Sequence, residues 1–137
     1  MEPPKSIISE DEDRWIKALE TVNMNLLGRV QMTPIKTEIG QYLPVDIDVS
    51  PMDNSGTKKE GVGRTYKGCD GYAPIFSYIG SEGYMLGCEL RPGTQHCQKG
   101  TPEYLGKNLK MIEELAPSET PSFVWTVGVM PLAPSPL

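Results

Sequence analysis

The chain has 137 residues, 38% of them hydrophobic, and a formal net charge of −5. This length is sufficient for one domain with its own core, and the acidic balance argues against a protein that binds nucleic acid over its whole surface. The three cysteines have no repeating spacing, which argues against a disulfide framework and favours a reduced, cytoplasmic location. Neither a signal peptide nor an apolar run of about 20 residues is visible.

The first predicted element is an amphipathic helix from Asp11 to Leu27. Its apolar residues recur at helical spacing and are Trp15, Ala18, Leu19, Val22 and Leu26. Ser9 and Glu12 have the spacing of a capping box, and Gly28 is a stop signal. The apolar stripe must pack either on the rest of this chain or on a neighbour.

A connector over residues 29–41 leads to a predicted strand over residues 42–50. Because side chains alternate along a strand, its apolar and polar residues separate onto two faces. The apolar face consists of Val45, Ile47 and Val49, and the polar face of Asp46, Asp48 and Ser50. Two carboxylates roughly 7 Å apart on one face repel each other, and a divalent metal would remove that cost. The polar face is therefore either a metal site or simply hydrated.

Residues 52–68, called the basic loop below, combine turn-forming residues with positive charge. The basic side chains are Lys58, Lys59, Arg64 and Lys67. Only Asp53 and Glu60 oppose them, so the loop has a net charge of +2. It is either a solvated loop or a track for a phosphate backbone next to the carboxylates.

A hairpin and a second helix are predicted beyond the basic loop. Residues 72–78 and 84–90 are strand-like, and residues 80–83 form the turn between them. The helix opens with Thr101 as its N-cap and Pro102 at its first position. Its apolar face consists of Tyr104, Leu105, Leu109, Ile112 and Leu115.

Two other kinds of site are disfavoured. The candidates for a zinc site or a Cys–His nucleophile are Cys69, Cys88, His96 and Cys97. They contain no C-x-x-C pair, and the adjacent His96 and Cys97 fit one tetrahedral site poorly. No local signal activates a cysteine nucleophile. The two aspartates therefore remain the best catalytic candidates, as metal ligands.

Several segments in order resemble bacterial insertion-sequence transposases, namely the DDE transposases of the IS-thirteen-eighty type. They are residues 45–55, 58–62, 65–75, 82–86 and 89–105, within a region of about residues 20–115. The resemblance implies a ribonuclease-H-like core whose first strand carries the first catalytic acid. It also implies two divalent metals, usually Mg²⁺, and DNA, the transposon ends, as substrate. By this resemblance the first acid is Asp48, with Asp46 as the alternative. The DNA contacts are Arg91 and the four basic residues of the basic loop.

The chain departs from this family after the second helix. The family carries its second acid there in a pattern like Arg-Leu-Asp-Ser-Gly-Asn-Asp-Ala, whereas this chain reads Phe-Val-Trp-Thr-Val-Gly-Val-Met over residues 123–130. Residues 122–129 have the pattern of a strand, and the proline-rich end that follows does not. If the reading frame is shifted by two bases within the Phe123 codon, one of the new codons consists of the last base of the Trp125 codon and the first two bases of the Thr126 codon. That codon is GAC, which encodes aspartate. We therefore expect a frameshift near Ser122.

The expected fold is α/β, an incomplete ribonuclease-H-like core with an N-terminal helix, the first three strands, one helix and an out-of-frame tail. The expected domains are residues 1–41 (helix and connector), 42–121 (partial catalytic core) and 122–137 (irregular tail). The expected function is that of a truncated DDE transposase, inactive alone because the second and third acids are missing, and nucleoid-associated when bound to DNA. The alternatives are a transposase-derived DNA-binding or regulatory module that joins the full-length enzyme, and a degenerate reading frame without function.

Overall fold

The computed structural model describes residues 8–38, 40–115 and 123–127. This part of the chain is a mixed α/β structure with two helices and eight strands. The helices are α1 (Ile8–Leu27) and α2 (Thr101–Leu115). The strands are β1 (Ile35–Thr37), β2 (Gly40–Val49), β3 (Met52–Asp53), β4 (Gly63–Arg64), β5 (Asp70–Tyr72), β6 (Ile75–Ile79), β7 (Tyr84–Glu89) and β8 (Phe123–Val127).

Strand β2 is the centre of the larger sheet, in which the strands follow the order β1-β2-β6-β7. Its second half pairs antiparallel with β6, from Val45 opposite Ile79 to Val49 opposite Ile75. Strand β8 pairs with β2 in parallel, with Thr126 in register with Asp46. A strand has only two edges, so the second half of β2 lies between β6 and β8.

The core lies between the larger sheet and α2. The buried cluster consists of Leu27, Val45, Ile47, Ile75, Ile79, Leu86, Tyr104 and Ile112. The buried face of α2 is not the one that its apolar residues predicted: Asn108 is 1% exposed, whereas Leu109 is 40% exposed. Asn108 is buried because it belongs to a polar cluster, in which the Ser77 hydroxyl donates to Asn108 Oδ1 at 3.0 Å and lies 2.9 Å from the Tyr104 hydroxyl.

A second, three-stranded sheet of order β3-β5-β4 holds the basic loop. The strands approach so closely that a Cβ at Gly71 would lie 1.8 Å from the Met52 carbonyl oxygen, and one at Gly93 would lie 2.2 Å from the Gly63 carbonyl oxygen. Glycine is therefore required at both positions. The basic loop, predicted as turns throughout, contains β3 and β4 and is fixed at both ends.

Most predicted elements are confirmed, with shifted boundaries. Helix α1 ends at Leu27 as predicted but begins at Ile8, so Ser9 lies inside it rather than at its cap. The connector prediction is wrong for part of residues 29–41, because β1 forms there and pairs with the start of β2. The apolar pattern missed β1 because all three of its residues are exposed.

The hairpin is confirmed by β6, β7 and the turn between them, where Gly83 N donates to Gly80 O at 3.1 Å. The strand predicted at 122–129 is observed as β8, and residues 128–137 lie outside the described residues. Neither α1 nor α2, the two helices of the described part, is long and apolar enough to cross a membrane.

Candidate metal centre

The two aspartates lie on the solvent face of β2, opposite the core. Val45 and Ile47 are buried while Asp46 and Asp48 are exposed, as the alternation of the strand predicts. Across the sheet, Asp46 is in register with Tyr78 and Asp48 with Phe76. Those two rings stack with their centroids 6.4 Å apart. The carboxylates thus stand beside an aromatic surface and are open to a ligand from solvent.

A hydrogen bond orients the carboxylate of Asp48. The Ser50 hydroxyl donates to Asp48 Oδ2 at 2.8 Å. The backbone of Ser50 is itself held, because its N–H donates to the Pro74 carbonyl at 3.0 Å. Asp48 Oδ1 has no such contact among the described residues and is the oxygen best placed to bind a cation.

Tyr66 ties the basic loop to the strand that carries Asp48. Its hydroxyl donates to the Val49 carbonyl at 3.1 Å. Partial burial, and then the negative charge of Asp48, raise the pKa of Tyr66. The phenol therefore stays neutral and keeps its proton for this hydrogen bond. Tyr66 is not among the predicted site residues, although its place between the basic residues Arg64 and Lys67 is a signal in the sequence.

The four basic side chains of the loop are exposed. Lys67 Nζ lies 6.0 Å from the centre of the Tyr66 ring. Arg64 forms an ion pair with Asp70 at 3.5 Å, with both side chains more than half exposed, so solvent weakens this pair. Asp53 begins the loop, and hydrogen bonds from Ser55 lower the pKa of its carboxyl group.

Arg91 has a different environment from the other predicted DNA contacts, because it is 2% exposed. Its Nε donates to Glu89 Oε1 at 2.7 Å and its Nη1 donates to Thr101 Oγ1 at 3.1 Å. The guanidinium also lies 5.8 Å from the centre of the Tyr104 ring. In this conformation Arg91 joins the end of β7 to the start of α2, and a phosphate cannot reach it. Its contact with DNA remains a prediction.

The oxygen donors of β2 fit the start of a magnesium site but not a complete one. Carboxylate and hydroxyl oxygens are ligands that Mg²⁺ prefers, and Asp46 and Asp48 supply two carboxylates on one face. Within residues 8–38, 40–115 and 123–127, no group of three or more His, Cys, Asp or Glu side chains could hold a metal ion. The neighbouring strand β8 has the sequence Phe-Val-Trp-Thr-Val, with no acid. A two-metal centre needs more carboxylates than these strands provide.

The cysteines and the histidine considered for zinc are spread over the structure. Cys97 Sγ lies 4.0 Å from His96 Nδ1, while Cys69 Sγ lies 3.2 Å from the Thr65 hydroxyl. Cys88 is exposed on β7.

Comparison of the chain with protein-family models, curated proteins and solved structures finds no match.

Proposed function

We propose that this chain is a partial ribonuclease-H-like domain of a DDE transposase, and that it binds DNA through the basic loop without cleaving it. The observation that carries the proposal is the Tyr66 hydrogen bond to Val49, which fixes a positively charged loop beside Asp48. A phosphate backbone that follows the loop would therefore pass next to the carboxylate that the resemblance selects as the first acid.

The strand order supports the same proposal. The resemblance expects the second acid on the strand after α2, and that strand, β8, pairs in parallel with β2. Neighbouring strands bring their side chains within a few ångströms of each other. An acid on β8 would therefore stand close to Asp46 and Asp48.

The absence of an acid on β8 is the reason for expecting no cleavage. Asp48 and Asp46 are the residues that would hold Mg²⁺, which in such sites polarises the phosphate and activates the attacking oxygen. With too few ligands for two ions, the chain's own residues can bind and orient DNA but cannot complete that chemistry.

DNA binding is tested by the salt dependence of the affinity for a fluorescent duplex, measured by anisotropy between about 50 and 200 mM salt. The test variant is Lys58→Ala/Lys59→Ala/Lys67→Ala. Each phosphate contact contributes about 0.9 to the slope of log K against log salt, so the slope should fall by about 2.7 if all three lysines contact phosphates. Equal slopes for the parent and this variant would contradict the proposed track.

The matched control removes three exposed lysines elsewhere, Lys17, Lys99 and Lys110. It has the same net charge as the test variant but an intact basic loop. If the loop contacts the phosphates, the slope of the control should therefore remain close to that of the parent. The absence of cleavage is tested separately by incubating supercoiled DNA with the parent chain and Mg²⁺. Metal-dependent cleavage that Asp48→Ala abolishes would show that the chain is active and would overturn this part of the proposal.

A further inference from the structure

Helix α1 has an apolar stripe that the described part of the chain leaves uncovered. Trp15 and Leu19 are 67% and 64% exposed, and Val22 and Leu26 are each 56% exposed. The helix is held through positions next to the stripe, where Asn23 Nδ2 donates to the Met85 and Leu86 carbonyls and Glu20 pairs with Lys107. The stripe is therefore on a well-anchored helix and yet faces solvent.

A cleft of about 390 Å³ lies beside the stripe, between α1, β7 and α2. Its walls are mostly apolar and include Leu19, Val22, Leu26, Met85 and Met111. An exposed apolar surface of this kind, larger than scattered single residues, marks an interaction site. An amphipathic helix is one kind of partner that binds in an apolar cleft beside another helix.

The spacing of the stripe makes it complementary to itself. Trp15, Leu19, Val22 and Leu26 follow one another at intervals of four, three and four residues, which is the spacing of a helix-pairing seam. The series reads the same in both directions. In an antiparallel pair related by a two-fold axis, Trp15 meets Leu26 of the second copy and Leu19 meets Val22, so every apolar side chain has an apolar partner.

Charge selects the antiparallel arrangement over the parallel one. In the same register Glu12, in the first half of α1, lies alongside the end of α1 of the second copy, where Arg29 stands in the turn that directly follows the helix. Both side chains are exposed, so each end of the seam can form one Glu12–Arg29 ion pair. A parallel pair would instead bring together the acidic residues Asp11, Glu12 and Asp13 of two copies, and like charges close together repel. The opposed helix dipoles also favour the antiparallel pair.

We propose that α1 is a dimerisation element that pairs antiparallel with α1 of a second copy of this chain. The seam spans three helical turns, about 18 Å. A contact this short lies at or below the lower end of stable interfaces, about 1,200 Å². The dimer should therefore be weak, with a dissociation constant in the micromolar range.

Sedimentation velocity of the full chain over about 1 to 100 μM tests the proposal without DNA, so the result is independent of the proposed function. The parent should pass from monomer to dimer over this range, and Leu19→Glu should remain monomeric. Because Leu19 is exposed, the variant should retain the parent's far-UV circular dichroism. Leu90→Glu is the matched control, since Leu90 is exposed to a similar extent, 67% against 64% for Leu19, but lies outside α1, and it should dimerise like the parent.

A charge exchange tests the register. Glu12→Arg and Arg29→Glu should each weaken the dimer about fivefold, because two exposed ion pairs become like-charge contacts. The double variant should restore the parent affinity. A parent that stays monomeric at the highest concentration, a dimer that Leu19→Glu does not affect, or a double variant without recovery would each overturn the antiparallel α1 pair.

Discussion

Replacing Ser77 by alanine should destabilise the domain far more than the loss of one hydroxyl on the surface would. Ser77 is 0% exposed and Asn108 is 1% exposed. The Ser77 hydroxyl lies within 3.2 Å of three groups: the Gly87 carbonyl, the Tyr104 hydroxyl and Asn108 Oδ1. The Ser77 side chain therefore joins β6 to α2 and adds one hydrogen bond to the pairing of β6 with β7.

The size of the effect follows from what Ser77→Ala leaves behind. Asn108 Oδ1 and the Tyr104 hydroxyl lose this partner inside the core, and burial already raises the pKa of Tyr104, a sign of poor hydration. A buried polar group without a partner costs about 1–3 kcal/mol. Two such groups would cost about 2–6 kcal/mol. Because the Tyr104 hydroxyl also interacts with the Asn108 side chain and keeps that partner, we expect the lower part of this range, about 2–4 kcal/mol, a large share of the 5–15 kcal/mol typical of a domain. At about 4 °C per kcal/mol for this size, the midpoint of thermal unfolding should fall by about 8–16 °C.

Urea unfolding followed by circular dichroism measures this change in the free energy of unfolding. Ser81→Ala is the matched control, because Ser81 makes one exposed hydrogen bond, 2.9 Å long, to the Thr33 carbonyl and should change stability by less than about 0.5 kcal/mol. In a double-mutant cycle, Tyr104→Phe should cost less in the Ser77→Ala background than in the parent. Equal stabilities of Ser77→Ala and Ser81→Ala would refute the reasoning that the buried cluster fastens α2 to the sheet.

Three further outcomes are expected. Asp48→Asn should tighten metal-free DNA binding about twofold to threefold in the anisotropy assay, because it removes a negative charge beside the phosphate track; weaker binding would place the DNA elsewhere. Gly71→Ala should disrupt the smaller sheet, because the added Cβ would overlap the Met52 carbonyl. Limited proteolysis should then cleave the basic loop faster, while the unfolding midpoint of the larger sheet should change less. Hydrogen bonds from Thr33 lower the pKa of Glu82 below its ordinary value of 4.5. The stabilisation that the ionised Glu82 gives the folded state is therefore complete above pH 4.5 and is lost as the pH falls through the lowered pKa. The stability of Glu82→Gln, measured by urea unfolding from pH 7 to pH 3, should accordingly decline less than that of the parent.

The sequence predicted the elements whose residues carry a periodic apolar pattern. The alternation that separates Val45 and Ile47 from Asp46 and Asp48 is an outcome of strand geometry alone, and the structure has the same separation. For the same reason the pattern missed β1, which is exposed throughout.

Residues whose position depends on distant partners could not be predicted in this way. Asn108 is buried because Ser77, which lies 31 residues earlier, supplies its hydrogen bond. Tyr66 reaches the candidate site through the Val49 carbonyl, 17 residues away. Arg91, expected from the resemblance to contact DNA, is buried where Glu89 and Thr101 both accept its hydrogen bonds. Side-chain type alone contains none of these long-range contacts.

The register of β8 gives the proposed loss of the second acid a definite location. Thr126 is in register with Asp46 on the adjacent strand, and the aspartate of the shifted reading frame arises from the codons of Trp125 and Thr126. A carboxylate at this position of β8 would lie next to the two on β2, which is where a shared metal ligand is needed. On the proposed function, a change of frame near Ser122 would keep a strand beside β2, since Phe-Val-Trp-Thr-Val has strong strand propensity, but would remove its acid. The strand pairing of β2 is therefore separable from its proposed metal binding. The pairing with β8 needs only backbone hydrogen bonds, whereas the metal site needs an acidic side chain on β8.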